Sequence, residues 1–418
     1  MKILMISNLY PPFMLGGYEL NCSNITRALR VRGHDVMVAT SPSRVPGPPD
    51  PDYVTRCLTM AAHVPVYDYS GSYWHKTDIS IFENVSALQH LLVSFVPDVV
   101  FLWNTHGIGT LHLIDFLNVH EVPWAFFLGD RVYEQMINAA PAHARAVFRG
   151  TDPQWFASGG MMSVSQHLVD EMETLGHFTF PVPPSIVHGV AQVGEIIEDR
   201  PAREGRPLRF MFAARVSEHK GIHLACEAVA LLLAQGVDDF VLDVYGEGEV
   251  AYYVNYAHVL GVSGHVKFLG AVPQAELHRQ FQLHDMFVFP TWTREPFAFV
   301  PFEAAAYGCV PILTEDCGCA EKIVDGVHGL KIPRTAEALA DAMRRAVASE
   351  IELPRMEAAA KAMVRQDLTL QGHLNKLMAG LQSQLKPWSV ERVADPRALP
   401  LAFYKHHLSL ALLAGVTD

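Results

Sequence analysis

The chain opens on residues 2–7, KILMIS, a run with apolar side chains at four successive positions. A short apolar run without alternation predicts a strand buried on both faces, as in parallel sheets. Similar runs at 35–40, 96–103, 124–128, 160–164 and 185–187 predict further strands. Helical spacing falls between them. Cys22, Ile25 and Leu29 share one face of a helix predicted over 19–32, and Gly33 stands where a C′ glycine belongs. The same spacing predicts helices at 106–117 and 166–175.

The pattern then breaks at residues 189–207. EIIEDRPAREGRP is charged and carries two prolines, as a linker does. After it the alternation resumes. Strands are predicted at 208–214, 240–245, 265–269, 286–290 and 310–313, and helices at 222–235, 275–283, 301–307 and 336–348. Alternating strands and helices predict a doubly wound α/β fold. The expected organisation is two Rossmann-like domains, 1–200 and 201–367, facing across a cleft. Leu370, His373, Leu374, Leu377 and Leu381 keep helical spacing, so 368–384 reads as an amphipathic helix. The tail 386–418 carries no pattern that assigns it.

Composition narrows the class. Of 418 residues, 50% are hydrophobic and 18% charged, which excludes a disordered chain. The net charge of −12 lacks the footprint of a nucleic-acid binder. Six cysteines make no disulfide framework. The N-terminal run ends in Pro11–Pro12 without a small-residue cleavage site, and no apolar run reaches the roughly 18 residues of a membrane span. The expectation is a cytoplasmic protein. Residues 1–200 hold 11 Lys and Arg against 19 Asp and Glu, a net −8. That argues against bulk attraction to anionic lipid and leaves a local peripheral membrane contact open.

Three segments carry candidate chemistry. Gly16–Gly17, between the first strand and helix, fits either a simple turn or backbone that approaches an anion beside a helix N-terminus. Arg215 and Lys220 follow the first strand of the second half and precede a helix; two cations there suit a diphosphate. Glu295 lies in a loop, and Glu303, eight positions on, falls in the first turn of a helix. Phe297, Ala298, Phe299 and Val300 lie between, where helix-start amides lack intrahelical partners. GEGEVA at 246–251 matches a dinucleotide fingerprint, but it follows the second strand, and no acid stands where that fingerprint needs one. His219 and His223, and Cys317 and Cys319, lack partner pairs at zinc spacing and read as surface or loop residues.

Together these residues resemble the retaining GT-B-fold glycosyltransferases of family GT4. SNLYPPFMLGGYEL at 7–20, ARVSEHKG at 214–221, EPFAFVPFEAAAYGCVP at 295–311 and CGCAEKIVDGVHGL at 317–330 carry the resemblance, with IVHGV at 186–190. It covers residues 1–385. The resemblance implies that Arg215 and Lys220 bind the donor diphosphate, Glu303 the ribose and Glu295 the sugar hydroxyls. It places the backbone of 297–300 on sugar and phosphate, Gly16 and Gly17 on the phosphates, and Val272 near the base. It implies that His106 points at the donor sugar, that Asp130 lies nearer the acceptor, and that the 368–385 helix returns to the first domain. Ala298 and Cys319 stand where the family has glycine.

The implied co-substrate is a nucleotide sugar, a UDP- or GDP-sugar, with no further cofactor. No Asp-x-Asp pair sits where a divalent cation would be needed, so metal-independent chemistry is expected. The acceptor is left as a small molecule, a glycan or a lipid-linked sugar, and the oligomeric state is unassigned. The rival readings are a nucleotide-sugar epimerase on the same fold and a non-catalytic nucleotide-sugar binding protein.

Overall fold

The structure, a computed structural model, describes residues 1–14, 16–43, 45–60, 82–131, 157–176, 179–191, 193 and 205–399. The chain divides into two compact units. The first takes Met1–Val164, Leu168–Val187 and Leu374–Asp418; the second takes Ser165–His167 and His188–His373. Each is a Rossmann-like parallel α/β unit.

The first unit holds β1 (Lys2–Ser7), α1 (Gly17–Val31), β2 (Asp35–Ala39), β3 (Val54–Thr55), α2 (Phe82–Phe95) and β4 (Val99–Asn104). Then come α3 (Thr110–Val119), β5 (Trp124–Leu128), β6 (Gly160–Ser163), α4 (Gln166–Gly176), whose first two residues belong to the second unit, and β7 (Ser185–Ile186). Seven parallel strands run in the order β3-β2-β1-β4-β5-β6-β7. Ile3, Leu4, Met5 and Ile6 are all buried, so β1 is covered on both faces, which explains its unbroken apolar run.

The second unit holds β8 (Leu208–Ala213), α5 (Ile222–Ala234), β9 (Phe240–Tyr245), α6 (Val250–Val259), β10 (Val266–Gly270) and α7 (Gln274–Leu283). It continues with β11 (Met286–Phe289), α8 (Val300–Ala306), β12 (Val310–Thr314), β13 (Leu330–Ile332), α9 (Ala336–Val347) and α10 (Leu353–Asp367). Six parallel strands run β10-β9-β8-β11-β12-β13. Phe210, Phe212, Leu242, Val244, Val288 and Ile312 point to one face, where α5 and α9 supply Ile222, Val229, Leu232, Leu339 and Met343. Alternate positions point the other way and include Asp243, a buried carboxylate. Arg209 at 2.7 Å and His284 Nε2 at 2.9 Å offset its desolvation.

After these come α11 (Leu370–Gln382) and α12 (Val390–Ala394). Leu374, Leu377, Met378 and Leu381 of α11 are buried. Gly380 lies against Met162, and Gln384 against Gly160 of β6, within the first unit. Gln89 of α2 donates to Val393 O at 2.7 Å, and Trp388 Nε1 to Pro97 O at 3.0 Å.

Two predicted elements start late. The strand expected from 96 starts at Val99, because Val96 takes φ +51° and ends α2. The helix expected from 106 starts at Thr110. Gly109 caps it at φ +80°, and the Thr110 hydroxyl donates back to Thr105 O at 2.8 Å. Residues 106–109 are therefore a turn. Of the expected linker 189–207, residues 192 and 194–204 lie outside the described residues, as do 140–156 and the tail from 400. Among the described residues, no helix is long and apolar enough to cross a membrane.

Candidate functional site

In the second sheet β8 and β11 are neighbours, and the later strands extend outward from this pair in opposite directions. Such a switch point leaves adjoining loops at the strands' carboxyl ends, where open α/β sheets bind ligands. The loop after β8 carries Arg215 and closes in a 3-10 turn, Glu218–Lys220. The loop after β11 carries Glu295 and leads into α8.

Lys220 Nζ pairs with Glu295 Oε2 and lies 5.8 Å from the centroid of the Phe289 ring. Glu295 is 7% exposed, and the Thr291 hydroxyl donates to the same oxygen at 3.3 Å. Trp292 joins the two loops. Its amide donates to His219 O at 3.0 Å, its ring stacks on the His219 imidazole at 4.3 Å, and the Arg294 guanidinium lies 5.2 Å from its centroid. Glu303, 6% exposed, sits on the first turn of α8, where the helix dipole favours a carboxylate. The Phe297 ring stacks on Phe302 at 5.1 Å. Val272 lies in the loop after β10, two strands from β8.

A second layer holds the Glu295 loop. Gly318 N–H donates to Glu295 O at 2.9 Å, and the Ser165 hydroxyl to Pro296 O at 2.7 Å. Thr314 donates to Thr291 O at 3.1 Å. Ala298 N–H donates to Cys319 Sγ at 3.0 Å. The Ala298 amide, just before α8, thus faces a thiol from outside the helix. Cys317 and Cys319 are buried, at 2% and 0% exposure, rather than on the surface. Burial pushes the Cys319 thiol far up, so it stays protonated. Glu321, further along this segment, is pushed up by burial. Hydrogen bonds from His188 and from the His167 and Gln166 amides outweigh that and leave its carboxyl below the ordinary range.

The GEGEVA segment is explained by packing. Val216 N–H donates to Glu247 O at 2.7 Å, and Glu249 N–H to Val216 O at 2.8 Å. A Cβ on Gly248 would meet Val216 O at 2.6 Å. The glycine loop thus pairs with the backbone beyond Arg215.

The first sheet has its own switch point between β1 and β4. Gly16, exposed, caps α1: its N–H donates to Glu19 Oε2 at 3.0 Å, while Asn104 Nδ2 reaches Glu19 Oε1 at 3.3 Å. Asn8 Nδ2 donates to His106 O at 2.9 Å, tying the loop after β1 to the turn after β4. Burial pushes the His106 imidazole down to about 4, and the Asp130 charge opposes that only in part. Asp130 lies at the end of β5, where its Oδ1 accepts the Arg131 N–H at 2.7 Å. The buried Tyr18 hydroxyl bonds to Phe127 O at 2.6 Å and accepts Gly129 N–H at 3.1 Å, bracing that same strand end. Gly16, Gly17, His106 and Asp130 therefore share one strand-end edge, and Arg215, Lys220, Glu295 and Glu303 share the other unit's.

Comparison with known proteins bears on this second edge. Residues 194–363 match the Glycosyl transferases group 1 family model. The chain is 25% identical to the glycogen synthase of Mycobacterium tuberculosis over 435 aligned positions, covering 96% of this chain and 98% of that protein. A glycosyltransferase structure from Rickettsia africae superposes with a TM-score of 0.68 at 13% identity, covering 92% and 98% of the two chains. Anabaena HepE in complex with UDP and glucose superposes with a TM-score of 0.63 at 16% identity, covering 92% and 100%. The fold is that of GT-B glycosyltransferases.

Proposed function

We propose that the chain is a retaining hexosyltransferase. It moves a sugar from a nucleoside diphosphate sugar to an acceptor hydroxyl without a metal ion, in the cytoplasm. The carrying observation is the switch-point cluster of the second unit, in which the Lys220–Glu295 ion pair joins the loop that carries Arg215 to the loop that leads into the helix of Glu303. The UDP and glucose of HepE support a UDP-sugar donor, with a GDP-sugar as the second choice. The likeness to a glycogen synthase supports a glycan acceptor; small molecules and lipid-linked sugars are the alternatives.

Each residue has a physical task. Breaking the anomeric C–O bond leaves its electron pair on the diphosphate oxygen. Arg215 and Lys220 stabilise that charge where a divalent ion would otherwise do so. Glu303 accepts hydrogen bonds from the ribose. Glu295 exchanges Lys220 for the sugar hydroxyls, and the donor diphosphate takes over the ammonium. Val272 lies towards the base. In the first unit Gly16 and Gly17 approach the phosphates, the neutral His106 faces the sugar, and Asp130 serves the acceptor. The acceptor oxygen attacks the face the diphosphate leaves, and its proton passes to a phosphate oxygen. Residues 1–200 thus form the acceptor-side domain, 201–367 the donor domain, and 368–418 a terminal helix and tail.

The test is donor cleavage in EDTA. Incubation with UDP- and GDP-hexoses should release one nucleoside diphosphate, with the α-anomer of the sugar formed or transferred from an α-linked donor. Release that needs added Mg²⁺, or a β-product, contradicts the reading.

A further inference from the structure

Three of the contacts on the backbone and loop of 295–298 come from different kinds of group. Gly318 N–H on Glu295 O is backbone to backbone, and Ser165 on Pro296 O comes from far along the chain. The third is a side chain facing the loop's own amide: Cys319 Sγ accepts Ala298 N–H at 3.0 Å and lies 3.5 Å from Ala298 O, within reach of its S–H. One thiol therefore engages both backbone groups of one residue, three positions after Glu295 and two before the start of α8. Cys319 is 0% exposed, so it acts from behind the loop and touches no ligand. Its neighbour Cys317 donates to Thr314 O at 3.1 Å, and Thr314 holds Thr291, whose hydroxyl reaches Glu295. Gly318 leaves this segment no slack, since a Cβ there would stand 1.6 Å from Pro296 O.

We propose that Cys319 is a positioning residue that sets how the donor's sugar, as distinct from its nucleotide, is held. It does so by fixing the Ala298 peptide, and with it the approach of Glu295. This rests on the glycosyltransferase reading above. The groups assigned to the diphosphate and ribose, Arg215, Lys220 and Glu303, sit instead on the β8 loop and on α8. The sugar and nucleotide parts of donor affinity should therefore separate.

The experiment measures, by calorimetry and steady-state kinetics on the full chain, the Kd of the nucleoside diphosphate and kcat and KM for the nucleotide sugar. It compares wild type, Cys319→Ala and Cys319→Ser. Cys319→Ala removes the acceptor and should lower kcat/KM for the sugar donor about tenfold, the worth of one buried hydrogen bond. The diphosphate Kd should stay within twofold. Cys319→Ser retains a group that accepts from an amide and donates to a carbonyl, and should recover most of the loss. Equal behaviour of the Ala and Ser variants, or parallel loss of diphosphate and sugar-donor binding, overturns the proposal. If Cys319→Ala fails to fold, Cys319→Ser carries the test through Ala298 amide exchange. Protection as slow as in wild type supports it, and exchange at the rate of an open loop overturns it. A wild-type chain that binds no nucleoside diphosphate removes the functional reading itself; binding without the split removes only this inference.

Discussion

The Lys220 ammonium and the Glu295 carboxylate are paired across the carboxyl ends of β8 and β11, with the Thr291 hydroxyl on the same carboxylate oxygen. The cation assigned to the diphosphate is thus held by the acid assigned to the sugar. Their variants should diverge. Lys220→Ala should weaken nucleoside diphosphate binding by about 10- to 100-fold, the range of a hydrogen bond to a charged group. Glu295→Gln should leave that affinity equal or raised, because Lys220 is released, while sugar transfer falls at least about tenfold. Calorimetry beside a transfer assay separates the two; equal losses of binding in both variants would refute the division of roles.

Glu303 should report on the ribose. Glu303→Gln is expected to weaken the ribonucleoside diphosphate by about tenfold and the 2′-deoxy analogue far less. Competition titrations with the two ligands read this directly. An unchanged preference for the ribonucleotide would show that Glu303 serves only its helix.

His106 gives a pH signature. Its imidazole is pushed by burial to about 4, below the ordinary value of about 6.5. The unfolded chain therefore binds more protons between these values, and stability rises with pH across that window. As pH falls through it, this contribution, roughly 3 kcal/mol, is lost. Denaturation of His106→Gln between pH 4 and 7 should show a flatter slope than wild type; an identical slope would assign the acid loss elsewhere.

Asp243 acts on the same limb from the other unit. Burial pushes its carboxyl up, but hydrogen bonds from His284 and Arg209 outweigh that and hold it below the ordinary range. With the folded value lowered, the stabilisation is present above the unfolded carboxylate range and disappears as pH falls through the folded value. Asp243→Asn should cost about 3–5 kcal/mol at neutral pH, as breaking a buried pair does, and less in acid. Urea denaturation at two pH values checks both.

Gly221 separates strain from collision. It has φ +78°, and a Cβ would stand 1.9 Å from Pro290 O, in the loop that leads to Glu295. Gly236 has φ +76° with nothing within 4 Å. Gly236→Ala should cost about 1–2 kcal/mol and leave nucleotide binding intact. Gly221→Ala should cost more and also weaken the diphosphate, because the β8 and β11 loops are driven apart beside Lys220.

The sheets were legible because their strands are buried on both faces. The runs at 124–128 and 240–245 coincide with β5 and β9 residue for residue. β3 escaped because two residues carry no period. α6 escaped because Tyr252 and Val259 are apolar yet exposed at 63% and 73%, which blurs its polar face. α10 carries a legible signal, since Met356, Ala360, Met363 and Val364 are buried at helical spacing. In the candidate site, charge and strand-end position pointed to Arg215, Lys220, Glu295 and Glu303. The stacking of His219 on Trp292 and the bond from Ala298 to Cys319 join residues 73 and 21 positions apart. Neither separation follows a helix or strand period.

Nucleotide binding by the second unit is the central claim, and thermal unfolding with UDP, GDP and ADP in EDTA tests it most directly. A ligand at a hundred times its Kd stabilises the folded state by about 2.7 kcal/mol. One of the three, with UDP expected, should raise the melting temperature by several degrees in the wild type and by much less in Lys220→Ala. No shift with any of them, or an equal shift in the variant, would contradict the account.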